Sequence, residues 1–425
     1  MDRAVQRRFV GMTAVVAVLG MTATLSGCGA DSGGGDVTLR LVAAEYGTGA
    51  GNSSEKYWDD VAGKFEKQNP GIDVEVSVHS WKDVDREVAE MVKAGEAPDI
   101  AQIGAYADYA QADELYTADE MISIRTESNF MPSLTDAGEL DGNLYGLPFV
   151  ASTRLLFYNK GLFAEAGLGA PQTWDDIESD AAALKRRGVT YPFALPLGQE
   201  ESQAETLMWM LSGGGGYTDE VGNYDIDSQA NIAAFKWLRD DLVGKGLTGP
   251  VAPGKLDRAK AFDAFTKGEV GMLNGHPTLM QEAEKKGVDV GMVPLPGIDG
   301  PTESSMGVAD WMMGFKQNGH RVEIGEFLDF AYQDANVLAF ADRYDLLPVT
   351  MSASESMAAD DGHKELHPFL SALPNSQLYP FGKTSWARVS EMIKEKIGST
   401  VGPGGSPENV LVGIAADARQ AESAE

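Results

Sequence analysis

Ser53-Ser54-Glu55-Lys56 sets a serine three residues before a lysine, a spacing in which an amine can take the proton of a nucleophilic hydroxyl. The rest of such a penicillin-interacting site is missing, because no Ser-Asp-Asn occurs and Lys383-Thr384 is not followed by glycine. A helix start explains Ser53 and Ser54 better. His363 and His367 are spaced for one helical face, as zinc ligands often are. Their stretch is His-Lys-Glu-Leu-His, not His-Glu-x-x-His, and Pro368 follows directly. The segment 402–407, GPGGSP, is glycine-rich but lacks the Lys-Ser/Thr of a phosphate loop, and there is no Gly-x-Ser-x-Gly. Acidic pairs such as Asp59-Asp60 and Asp360-Asp361 have the composition of solvated surface. With 64 Asp and Glu in the chain, a glycosidase pair is not excluded by sequence.

Cys28 is the only cysteine, so no disulfide can form within the chain. Arg3, Arg7 and Arg8 precede it, then an uncharged, mostly apolar run from Phe9 to Leu25, then the small residues Ser26 and Gly27. That is the layout of a secretory signal peptide over 1–27. The competing reading is a membrane anchor, for which the run is short and is diluted by Gly11, Thr13, Gly20, Thr22 and Thr24. Leu25-Ser26-Gly27-Cys28 resembles the bacterial lipobox, which implies acylation of the Cys28 thiol and cleavage just before it. An incidental cysteine in a leader cleaved elsewhere is the alternative. Arg7-Arg8 leaves twin-arginine export open beside the general route. Residues 28–36, rich in Gly and Ser, then read as a flexible tether between a lipid and a folded part that starts near Val37.

The formal charge is −30. A chain this acidic repels phosphates, which argues against nonspecific nucleic-acid binding, and it stands off an anionic membrane surface. Hydrophobic residues at 43% with 23% charged are ordinary for a globular protein long enough for two lobes with separate cores. Nothing in the composition or motifs calls for a cofactor or a metal, and a monomer is expected.

The elements that must position any site follow from periodicity. VTLRLVAA from Val37 alternates and predicts a strand. Trp58, Val61, Ala62 and Phe65 share a helical face behind a cap at Asn52, Ser53 or Ser54, and Asn69-Pro70-Gly71 stops that helix. IDVEVSV (72–78) predicts a second strand, Val84, Val88, Met91 and Val92 a second helix, and APDIAQIG (97–104) a turn into a short buried strand. This β-α-β-α-β order predicts a layered α/β lobe. Thr173 can cap a helix with Asp175 and Asp176 in its first turn, and Ser406-Pro407 can open the last helix. Between them, a strand is predicted at Val270–Leu273.

Several stretches together carry a family resemblance: WDDVAGKFEKQNPGIDVEV, VKAGEAPDIAQIG, LYGLPFVASTRLLFYNKGLFAEAGL followed by PQTWDDI, FTKGEVGMLNG, and the closing SWARVSEMIKEKI with SPENVL. In this order the chain resembles the extracellular solute-binding proteins of bacterial ABC importers, in the carbohydrate-binding branch that includes maltose-binding proteins. The resemblance implies a two-lobe α/β fold with a hinge of several crossings, a ligand held in the interlobe cleft, and permease subunits as partners. Mapped here, one lobe holds 37–150 plus 313–357 and the other 155–306 plus 364–425. Crossings are expected near Val150–Arg154, Val308–Met312 and Ser352–Asp361.

A sugar is held by aromatic faces against its C–H surfaces and by polar groups on its hydroxyls. Trp58, Trp174 and Trp237 sit at helical spacing or at a helix start and read as core. Trp81, Trp209, Trp311 and Trp386 stand beside polar residues near predicted element ends and are candidates for the cleft. The resemblance places an aromatic at the start of a late helix, matched by Trp386, and puts Asp310 with Trp311 in a hinge strand. It places ligand contacts at Glu45 and Tyr46 after the first strand, at Gln102 and Tyr106 after the APDI turn, at Ser152, and at Asn274 and His276. Ser152 stands where maltose binders carry a glutamate, and the Gln102–Tyr106 segment lacks their Trp and acid, so maltose need not be the ligand. A polyol, a glycerol phosphodiester with Arg154 and Arg388 for the phosphate, or a polyamine remain open, as does a lipid-anchored carbohydrate-active enzyme.

Overall fold

The computed structural model describes residues 37–423 except 48, 50 and 303. The leader 1–27, Cys28 and the tether 28–36 lie outside the described residues.

Strand β1 (Val37–Glu45) has Leu39, Leu41 and Ala43 buried on one side and Val42 and Ala44 on the other. Both faces are covered, as a parallel central strand requires. It pairs in parallel with β2 (Ile72–Ser80) and β3 (Ile100–Ile103). The crossover helix Ser54–Gln68 is capped by Ser53, whose side chain accepts from Glu55 N, and it buries Tyr57, Trp58, Val61, Ala62 and Phe65. The second crossover, Val84–Ala94, ends at Gly95, whose φ of 75° suits glycine at a helix C-terminus.

A small hairpin, β4 (Glu139–Leu140) and β5 (Asn143–Leu144), leads into β6 (Leu147–Thr153). Only Arg154 separates β6 from β7 (Leu155–Asn159), which belongs to another sheet. With β8 (Tyr191–Phe193), β9 (Val270–Gly275) and β10 (Val290–Val293), β7 forms a four-stranded sheet in the order β10-β7-β9-β8. The chain returns through β11 (Ser305–Gly314), antiparallel to both β6 and β3. Then β12 (Ser376–Gln377) pairs in parallel with the start of β11, giving a first sheet of order β12-β11-β3-β1-β2, with β6 on β11. The register of β6 on β11 slips between Asp310 and Trp311, a bulge that re-aims the side chains beside it.

Alternation on β7 divides two cores, and β9 contributes to both. Leu155, Phe157, Val270 and Leu273 join the core that surrounds the first sheet. Leu156 and Met272 face the other core, with Phe193, Trp209, Phe235, Val389 and Leu411. Of the expected crossings, Val150–Arg154 and Val308–Met312 fall on β6, Arg154 and β11. The third, Ser352–Asp361, is mostly the helix Met351–Ala359, because Ala353 and Met357 bury one helical face. Thr173 and Ser406 cap the helices Trp174–Arg186 and Pro407–Glu422. No helix among the described residues is long and apolar enough to cross a membrane.

Candidate functional site

The first wall is built at the end of β1. Glu45 Oε1 accepts the backbone N–H of Gly47 (2.6 Å) and of Ser54 (2.8 Å), clasping the loop to the helix. Burial opposes ionisation of Glu45, but those bonds outweigh it and hold the carboxyl below its usual range. Tyr46 is half-buried. Gln102, fully buried, accepts from Ala44 N through Oε1 (3.0 Å) and donates from Nε2 to Tyr46 OH (2.9 Å). Tyr46 OH donates to Asp310 Oδ2. Trp81 meets the Tyr46 ring edge-on at 5.4 Å, and Tyr344 lies 5.5 Å from it. Burial pushes Asp310 up to about 7, and the charge of Asp85 adds to the rise while the Tyr46 bond opposes it. Asp85 itself accepts from Gly104 N (3.1 Å) and is raised by burial.

A chain of rings runs from Tyr106 and Trp311, the neighbour of Asp310 on β11, to the second core. Tyr106 and Trp311 are 5.4 Å apart, Trp311 and Phe381 5.4 Å, Phe381 and Tyr379 5.6 Å. Tyr379 stacks on Trp386 at 5.0 Å and 29°, and Trp386 meets Tyr217 at 5.1 Å. Tyr106 OH donates to Ala137 O (2.8 Å) and Glu139 O (3.0 Å).

The second wall is polar. Arg154, between the sheets, donates from Nη2 to Glu201 Oε1 (2.9 Å), and Arg258 pairs with Glu201 and with Glu200 (3.1 Å). Arg258 also donates to His276 Nε2 (3.3 Å). Burial, then the positive charges of Arg154 and Arg258, push His276 well below its ordinary pKa, so it stays neutral. Glu205 Oε1 receives Trp209 Nε1–H (2.8 Å) and Asn274 Nδ2–H (2.9 Å). Burial lifts Glu205 to about 7, with those two bonds and Arg154 pulling the other way. Arg154, Glu201, Glu205, Arg258, Phe262 and Asn274 help line a cavity of about 20 Å³, room for roughly one water.

The structure thus brings Tyr46, Trp81, Gln102 and Asp310 into one cluster. Tyr106, Trp311 and Trp386 lie along the ring chain, and Trp209 with Asn274 meets at Glu205. Ser152 is half-buried on β6 opposite Val308, and Glu45 is turned to its own loop. Trp209 and Trp311 are each 0% exposed. Trp209 lies inside the helix Ser202–Ser212 against Trp174, Phe193 and Trp237, so protein covers its faces. Sequence reasoning missed Glu201, Glu205, Arg258, Tyr344 and Tyr379. Only Glu205 left a signal, the one charged residue of its helix, four residues before Trp209. His363 bonds to Asp342 and Asp360, and no group able to hold a metal exists among the described residues.

The family described as bacterial extracellular solute-binding protein matches residues 50–337. A relative from Brucella abortus (strain 2308), named only as a binding protein, is 27% identical over 388 residues, 89% of this chain and 92% of the relative. The sn-glycerol-3-phosphate-binding periplasmic protein UgpB of Escherichia coli (strain K12) is 27% identical over 259 residues, 57% of each chain. Among solved structures, the cyclic alpha-maltosyl-1,6-maltose binding protein of Arthrobacter globiformis aligns with a TM-score of 0.77 at 17% identity, covering 92% of this chain and 100% of that one. The two-sheet α/β architecture is that of the two-lobe periplasmic binding proteins, and the chain belongs to the bacterial extracellular solute-binding protein family.

Proposed function

We propose that this protein is the substrate-binding lipoprotein of an ABC importer and that its ligand is a di- or oligosaccharide. The observation that carries the ligand class is the juxtaposition of partly buried aromatic rings, Tyr46, Trp81 and Tyr344, with hydrogen-bonding groups at Gln102 and Asp310. Rings beside directional polar groups are what a pyranose needs. The Arthrobacter protein, named for binding cyclic alpha-maltosyl-1,6-maltose, supports the same reading. In this proposal the lobes are 37–150 plus 313–357 and 155–306 plus 364–425, the ligand enters between them, and closure presents a changed surface to the permease. Lipid on Cys28, after removal of 1–27, tethers the receptor outside the cell membrane. The protein acts as a monomer without cofactor or covalent step and does not engage nucleic acid.

A glycerol phosphate, as the monoester or a phosphodiester, is the second reading, favoured by the likeness to the sn-glycerol-3-phosphate-binding UgpB and by Arg154 and Arg258 on the second wall. Their pairing with Glu200 and Glu201, and the exposed position of Arg388, speak for the sugar. The test is a thermal-shift screen of the full-length chain against mono-, di- and oligosaccharides, glycerol phosphodiesters and polyamines. A ligand at 100 times its Kd adds about 2.7 kcal/mol and raises Tm. A shift with oligosaccharides is expected. A shift only with another class would overturn the sugar and leave the family standing.

A further inference from the structure

We infer that Ala44, Gln102, Tyr46 and Asp310 form a directional hydrogen-bond chain that makes the first wall an acceptor, selecting a ligand hydroxyl there and rejecting a phosphate ester. This deepens the sugar-receptor reading and rests on it.

The direction is fixed at one end. A backbone N–H only donates, so Ala44 N compels Gln102 to present Oε1 to it. Gln102 must then aim Nε2 at Tyr46, so the phenol oxygen is the acceptor in that bond. The phenol proton is left to point at Asp310 Oδ2. Burial and the charge of Asp310 hold the Tyr46 phenol far from ionisation, so it keeps that proton. Every donor in the chain but one Gln102 N–H is thereby directed inward. Asp310 sits on the β11 bulge, mostly buried, and among the described residues no hydrogen bond from the protein reaches its Oδ1. Above the value of about 7 to which burial raises Asp310, what the wall offers outward is carboxylate lone pairs.

Such a group binds a donor. A sugar hydroxyl supplies one, and it gains the strength of a bond to a charged acceptor. A phosphate ester brings acceptor oxygens and negative charge to a wall that already holds Asp310, Asp85 and Glu45. The second wall does not relieve this, since Arg154 and Arg258 already face Glu201 and Glu200.

The test is calorimetric titration of the full-length chain at about pH 8, where Asp310 is mostly ionised, with matched pairs: trehalose and trehalose 6-phosphate, glycerol and sn-glycerol 3-phosphate, with maltose and raffinose added. The tightest neutral binder is then titrated into Asp310→Asn and Tyr46→Phe, each checked for a cooperative melt. Wild type is expected to prefer the neutral member of each pair by about ten-fold or more. Asp310→Asn, which turns an N–H outward, loses about ten-fold or more toward the neutral ligand and narrows the gap to its phosphate. Tyr46→Phe keeps the ring contacts and loses several-fold, which serves if Asp310→Asn does not fold. Neutral binding that neither variant weakens would overturn this inference alone. Binding of the phosphates in preference to the sugars, or of no member of the panel, would overturn both it and the carbohydrate reading.

Discussion

Glu205 is a carboxyl fixed by two donors on one oxygen, and burial still moves it from its ordinary 4.5 to about 7. The sign follows from proton counting. Between the two values the folded chain keeps a proton that the unfolded chain has lost, so this group's contribution to stability falls as pH rises from about 4.5 to 7. Asp310, also at about 7, adds a slope of the same sign. Glu205→Gln keeps an oxygen for Trp209 and Asn274 and removes the ionisation. The variant should match wild type near pH ~4 and exceed it near pH ~8 by up to roughly 3 kcal/mol, read by urea denaturation at both. An equal gap at the two pH values would show that Glu205 does not titrate in that window.

At the scale of elements, what was legible was local. Thr173 and Ser406 cap because the cap bond spans three residues, and the strands near Val37 and Ile72 declare themselves by alternation. What was not legible depends on partners distant in sequence. The four candidate tryptophans look alike beside polar neighbours, yet Trp81 is half-exposed while Trp209 and Trp311 are closed in by rings from other elements. Likewise, Asp310 owes its aim to a register slip that exists only once β6 lies on β11. Gly146, just before β6, shows how tight that junction is. A Cβ there would stand 2.7 Å from Tyr106 Cδ1 and 3.1 Å from Trp311 Cε3. Gly146→Ala must therefore displace two buried rings at the head of the ring chain. It should lower stability by about 1–3 kcal/mol, the ordinary cost of overpacking, measured as a reduced urea midpoint. An unchanged midpoint would mean that the rings yield freely, and that the chain they begin is too soft to position a ligand.

At the scale of the molecule, the connection between the sheets decides what motion is available. From the first sheet to the second the chain needs only Arg154, between β6 and β7. The return runs along β11, hydrogen-bonded to β6 over Gly307–Met312. Two paired strands resist sliding more than bending, so rotation near Arg154, not shear, is the closing motion to expect of the proposed receptor. Arg154 also bonds to Glu201 on the second wall, so the connection is tied to the polar groups a ligand would meet. A solute that touches Asp310 on one side and the Glu201–His276 cluster on the other would have differential contact with the closed state, the only source of energy that can drive closure. Small-angle scattering of the full-length chain should then show a smaller radius of gyration with saturating oligosaccharide. Arg154→Ala, which leaves Glu201 paired with Arg258 alone and keeps both strands paired, should close less completely while the unliganded curve stays the same. A ligand that binds tightly yet leaves the scattering of both proteins unchanged would mean that the sheets are already at their closing distance. Recognition would then lie in the walls alone, with no rotation to report the ligand to a permease.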